Sequence, residues 1–250
     1  MNPFLSFILV SVFAFGSGSE GKTILDLLKL CSLNDPNLNG CVKDAANTLL
    51  PHIANGIPDF EIPALDPLYT PMFELIEETE YASIDLKYTE LTQIGLSKMI
   101  VDDASIDQEN GVWTFKMSQP VYTLVGHYKS KGTVLDVTIN GEGKFNSTHF
   151  DTKVDLTMTV SREKRDGTEY FKLDKFSINY TFGTAMMEYE GLIGDDPNLA
   201  ASTNKFLNEH SHEILTDLKP ALEQAFGDLF RGYLEKLVQH APVDKLFPAN

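Results

Sequence analysis

In Phe206–Phe230, FLNEHSHEILTDLKPALEQAFGDLF, apolar residues recur at helical spacing. The pattern extends outward from about Ala200 to Gln239, where Leu207, Ile214, Leu218, Leu222, Phe226, Leu229, Tyr233 and Leu237 fall on one stripe. Phe206, Leu215, Phe230, Leu234 and Val238 widen that stripe beyond a coiled-coil seam, so the helix is expected to be enclosed rather than docked on one side. At 1.5 Å per residue it would extend roughly 60 Å. Pro220 removes one ladder hydrogen bond and is expected to kink or split it.

What encloses the helix lies upstream. From Ala82 to about Ile193 apolar residues alternate with polar ones, as in Trp113, Phe115, Met117, in Leu135, Val137, Ile139, in Val154, Leu156, Met158, Val160 and in Phe176, Ile178, Tyr180, Phe182. A period of two marks strands with one buried face. Turn signals at Glu109-Asn110-Gly111, Asn140-Gly141-Glu142-Gly143 and Arg165-Asp166-Gly167 separate the runs. A meander of antiparallel strands followed by one broadly apolar helix predicts an α+β fold in which a strongly curved antiparallel sheet wraps around a long C-terminal helix. Ahead of the strands, GIPDFEIPALDPLYTP (56–71) carries four prolines, which predict an extended connection. The sequons at Asn146 and Asn179 are candidate glycosylation sites. A glycan on mid-strand Asn179 must face water, which turns Ile178 and Tyr180 inward.

The N-terminus reads as a secretory leader. Residues 4–15 are apolar and 16–19 small and polar, too short a run to span a membrane. Residues 1–18 are therefore assigned to the leader and 19–250 to a single domain, secreted and extracellular. In an oxidising compartment Cys31 and Cys41 read as a disulfide, because a metal site needs further ligands and the spacing is not Cys-x-x-Cys. The bridge is expected to pin a helix from Thr23 to about Leu30 against one from about Cys41 to Ile53, with loosening confined to these helices if it is lost.

Net charge is −16 and the isoelectric point about 4.7, which repels phosphate backbones and anionic membranes. Neither nucleic acid nor stable membrane insertion is expected. The sequence holds no nucleophile elbow, zinc motif or phosphate loop, so neither enzyme chemistry nor a cofactor is expected. His210 and His212, two apart, occupy different faces of a helix and read as solvated surface. His127 and His149 point to no function. Asp195-Asp196-Pro197 reads as the turn into the helix.

The early cysteine pair, the segment from Gly56-Ile57-Pro58-Asp59 to Leu65-Asp66-Pro67-Leu68, and Phe206–Phe230 with Pro242 and Leu246-Phe247-Pro248 together resemble the takeout and juvenile-hormone-binding family of insect secreted proteins. With no cysteines for a second disulfide, the chain is more similar to the takeout branch. The resemblance implies a sheet wrapped around a helix with a tunnel for an elongated apolar ligand, and roles in circadian, feeding or chemosensory physiology. It carries over no ligand-contacting residue.

Candidate ligand-binding residues come from the inward parity instead: Trp113, Phe115, Met117, Val137, Ile139, Met158, Phe176, Ile178 and Tyr180 on the sheet, facing Phe226, Phe230 and Tyr233 on the helix. Met186 and Met187 would also suit an adaptable interior. The expected partner is a small hydrophobic ligand, terpenoid or fatty acyl. A fully packed interior would instead favour a secreted protein-interaction module.

Overall fold

Two very long strands, β4 (Val112–Val134) and β5 (Val137–Arg165), pair antiparallel over nearly their whole length, from Val112↔Thr159 to Val134↔Val137. The computed structural model describes residues 30–58, 61–78, 82–134, 137–193 and 197–249. Around this spine the shorter strands pair in succession. On the β4 flank, β3 (Ile100–Asp107) pairs the first part of β4 and β2 (Ala82–Ile94) the second, with β1 (Leu68–Glu78) outside β2. On the β5 flank, β7 (Thr184–Tyr189) and then β6 (Thr168–Thr181) do the same. All pairings are antiparallel, giving a seven-stranded sheet.

The spine bends where its flank partners change. Pro120 sits between the last β3 partner of β4, Ser118, and the first β2 partner, Thr123, so its missing N–H forfeits no ladder bond on that side. Opposite, Asp151 takes φ +52°, a left-handed conformation that aspartate tolerates better than most residues; there the inward face of β5 passes from odd to even positions while its register with β4 is kept. Register shifts at Thr89/Thr92, Val101/Asp103 and Thr159/Val160 add local twist and curl the sheet.

Two expected turns are present, at 108–111 and 166–167. The third is corrected. Asn140–Gly143 runs straight through β5, paired with 128–131 of β4. Its glycines serve close packing: a Cβ on Gly141 would lie 2.2 Å from the Gly191 carbonyl oxygen, and one on Gly143 2.5 Å from that of Glu190. The proline-rich connection is shorter than expected, because β1 already begins at Leu68 and Pro71 is accepted in an edge strand.

The helical run expected from about Ala200 to Gln239 is present and is split at Pro220 as expected, with a further break at His210. It is divided into α2 (Pro197–Glu209), α3 (Ser211–Asp217) and α4 (Lys219–His240). The break at Leu218 places Pro220 in the first turn of α4, where its missing N–H would be unpaired anyway. The break at His210 separates two helices that both lie against β7, and the break at Leu218 lets α4 lie along β6, which one straight rod could not do. Asp195 and Asp196 lie outside the described residues. α4 occupies the concave face: Phe226 stacks on Phe73 of β1 at 4.9 Å and meets Tyr180 of β6 at 6.1 Å. These strands stand at opposite ends of the sheet order, so the sheet wraps the helix as expected.

Asparagines on the helices close the sheet edges. Asn208 accepts from the Met187 N–H at 2.7 Å and donates to the Met187 carbonyl at 2.9 Å; Asn204, one turn earlier, clasps Tyr189 in the same way at 2.9 and 3.0 Å. Asn47 on α1 (Leu38–Leu49) holds Val101 of β3 at 2.8 and 2.9 Å. On β6 the Tyr180 N–H donates to Glu223 at 2.7 Å. Each side-chain amide supplies the donor and acceptor of an absent neighbouring strand.

The Cys31–Cys41 disulfide is formed and joins an extended segment to the first turn of α1. The helix expected from Thr23 lies outside the described residues, except for Leu30, which is not helical. Both cysteines are buried in one cluster with Trp113, Phe171 and Val238, where Trp113 packs edge-on to Phe171 and Phe247. Loss of the bridge is therefore expected to reach the sheet and not to remain in the N-terminal segment. Cys31→Ser is expected to lower stability by about 2–3 kcal/mol and to shift the emission of Trp113, the only tryptophan, to the red; an unshifted spectrum would show the effect to be confined to the segment. Asn208→Ala leaves a strand N–H and carbonyl unpaired, and should cost about 1–3 kcal/mol in urea denaturation.

Candidate functional site

Between the concave sheet and α4 lie two apolar cavities. The front one, about 200 Å³, is bordered by Met117, Leu156, Ile178 and Tyr180 from the sheet and by Phe230, Tyr233 and Leu237 from α4. The rear one, about 100 Å³, is bordered by Phe73, Leu86, Ile139, Phe182, Leu222 and Phe226, among others. Tyr180 near the end of β6 and Phe182 just beyond it, buried with stacked rings 5.6 Å apart, each face a different cavity. Phe226 and Phe230, one turn apart on α4, divide in the same way. The two spaces are therefore consecutive along one strand and one helix. Each is below the roughly 300–1,000 Å³ of typical small-molecule sites, so an elongated guest must extend through both or widen them.

The inward residues named from the sequence separate into groups. Met117, Ile178, Tyr180, Phe230 and Tyr233 meet at the front cavity, and Ile139 and Phe226 at the rear. Trp113 and Met158 are buried in the disulfide cluster, with Phe115 and Phe176 packed against it, and none of these four borders either cavity. Val137 is half-buried at the end of the β4–β5 ladder. Met187 borders the rear cavity, but Met186 is 66% exposed on the opposite face of β7 and is corrected to a surface residue. Asn146, Asn179 and Thr181 are exposed, in keeping with alternation along β5 and β6.

Polar groups missed in the sequence face the rear cavity. His149 and Ser147 on β5 and Tyr122 on β4 all border it and are buried. The His149 ring stacks on Tyr122 at 4.6 Å with planes 6° apart, and its Nε2 shares a 2.9 Å hydrogen bond with Ser147 Oγ. Burial pulls the imidazole pKa down to about 4, so the ring is neutral at pH 7. Elsewhere in the wall the hydroxyls of Tyr88 and Tyr189 share a 2.8 Å bond, and burial raises Tyr189 to about 12. The sequence carried a signal for His149 on one side only: the parity of Ile139 and Phe145 leads inward to 147 and 149, whereas that of Val154 leads outward. The left-handed residue Asp151 separates the two phases.

His210, by contrast, lies at the surface, with its ring against Phe206 and Nδ1 3.0 Å from Glu213. Among the described residues no cluster of three His, Cys, Asp or Glu side chains is placed to hold a metal ion, and no helix is long and apolar enough to cross a membrane.

Comparison with known proteins follows the same lines. Residues 8–248 match the family model described as haemolymph juvenile hormone binding protein. The crystal structure of Epiphyas postvittana Takeout 1 superposes with a TM-score of 0.78 at 20% identity, covering 89% of this chain and all of that one. A putative beta-carotene-binding protein of Schistocerca gregaria is 21% identical over 87% of this chain and 86% of its own length. The circadian clock-controlled protein daywake of Drosophila yakuba is 23% identical over 89% and 88%.

The buried imidazole generates a pH prediction. Its folded pKa lies near 4 and its ordinary value near 6.5, so on acidification the unfolded chain takes up a proton first. Stability is thus lost as pH falls from 6.5 towards 4, by about 2–3 kcal/mol at the low end. His149→Phe should flatten this part of the profile in denaturation curves at pH 7 and near pH 4.5; an unchanged difference between the two pH values would contradict it.

Proposed function

Since the chain belongs to the haemolymph juvenile hormone binding protein family, we propose that it is a secreted carrier that reversibly holds one elongated hydrophobic molecule, terpenoid, juvenile-hormone-like or fatty acyl, in its interior. The observation that carries this reading is the pair of apolar cavities lying end to end between α4 and the sheet. No bond is made or broken in carriage: the side chains exclude water and the ligand supplies its own apolar surface. A guest burying a dozen methylenes gains roughly 10 kcal/mol, against an ordering cost of about 4–15 kcal/mol. A leader at 1–18 preceding one domain at 19–250, and glycans at the exposed Asn146 and Asn179, fit the same extracellular role. The names of its relatives, one beta-carotene-binding and one clock-controlled, agree with a lipid carrier linked to daily physiology.

A second reading, docking to another protein, draws on Tyr69, Met72 and Ile76 of β1, which are apolar and exposed at 55%, 53% and 72%. It requires no interior guest, so occupancy of the interior separates the two readings.

Native mass spectrometry of protein from its own source should find a bound lipid, and a fluorescent fatty-acid probe should bind the emptied protein. Met117→Trp should fill part of the front cavity and weaken probe binding about tenfold or more with little change in melting temperature. Ile178 is less suited to this test, because a Cβ on Gly227 of α4 would already stand 3.7 Å from it. Protein that is repeatedly empty and ignores the probe would overturn the carrier reading.

A further inference from the structure

We propose that Ser147, His149 and Tyr122 form a recognition site for an uncharged oxygen function of the ligand, an alcohol above all, in the wall of the rear cavity. This deepens the carrier reading and rests on it. Three observations support it. All three residues border the cavity, and His149 is only 5% exposed. Its Nδ1 is buried and has no hydrogen-bond partner among the described residues. The ring is held in place from two other directions, by the Tyr122 stack and by Ser147 at Nε2.

A buried polar nitrogen with no partner is costly, whereas a ring already fixed in orientation gives up little freedom when it gains one. The arrangement is therefore preorganised for a partner that arrives with the guest. The two tautomers define which partner. If Nε2–H donates to Ser147 Oγ, Nδ1 presents a lone pair and needs a donor; if Ser147 donates to Nε2, Nδ1–H needs an acceptor. A hydroxyl satisfies either case, and a carbonyl or ether oxygen only the second. A carboxylate fits poorly. The imidazole is neutral, and no lysine or arginine is among the described residues bordering the cavity, so an ionised head group would be desolvated without a counter-charge.

The site thus predicts selection between ligands of equal length that differ only in one terminal group. The test uses the full folded chain and displacement of phenylnaphthylamine by dodecanol, dodecane and dodecanoate. Dodecanol is expected to displace the probe about tenfold better than dodecane, the value of one buried hydrogen bond, and better than dodecanoate. In His149→Phe the alcohol-to-alkane ratio should fall to about one. Ser147→Ala, which keeps the ring but releases it, should reduce the ratio to an intermediate value, and it remains informative if the His149 variant does not fold. Equal displacement by dodecanol and dodecane in the wild type, a preference for dodecanoate, or an alcohol preference that survives both substitutions would overturn the site while leaving carriage intact. Failure of phenylnaphthylamine and all three competitors to bind would overturn the carrier reading and the site with it.

Discussion

The contact on which the architecture depends is made by one ring. Phe226 of α4 touches Phe73 on β1 and Tyr180 on β6, the two ends of the sheet order, so the sheet is curled until its ends share a side chain. An antiparallel sheet twists by itself but does not close by itself. The curl here coincides with left-handed residues at Glu90 and Asp151 and with a helix slim enough at Gly227 to sit against Ile178. The apolar residues on either side of Phe226 then surround two consecutive spaces and not one solid core.

Much of this was legible because alternation is hard to disguise. The parity of Phe176, Ile178, Tyr180 and Phe182 against exposed Asn179 and Thr181 placed β6 correctly on both faces, and the breadth of the C-terminal apolar stripe announced an enclosed helix. What was hidden had specific physical causes. Asn140–Gly143 has the composition of a hairpin turn, yet its glycines answer to the backbone of residues 190–192, a contact that local sequence does not encode. The break at His210 carries no proline or glycine, and the helices on either side of it both lie against β7, so neither composition nor a change of strand marks it. Period-two reasoning also loses its phase at an irregular residue, which is why His149 was overlooked, and it gives the face but not the position along a strand, which is why Trp113 and Met158, inward but in the disulfide cluster, were grouped with the cavity residues.

The interior is chemically uneven as a result. The front cavity is bordered almost wholly by aliphatic and aromatic side chains, whereas the rear one includes hydroxyls and an imidazole kept neutral by burial. Placing polar atoms in such a wall destabilises the empty protein, since each forgoes water without full compensation. An apolar side chain at the same positions would be the more stable choice for a protein whose interior served packing alone.

The asparagine clasps have a mechanical consequence. Where β4 meets β5, more than twenty successive residue pairs share a continuous ladder that opens only as a unit. Where β7 meets α2, the junction consists of two amide side chains, each holding one strand residue and able to let go on its own. The container therefore has one stiff wall and one compliant seam. Strain from within would therefore part the helices from β7 one clasp at a time before it moved the paired strands out of register.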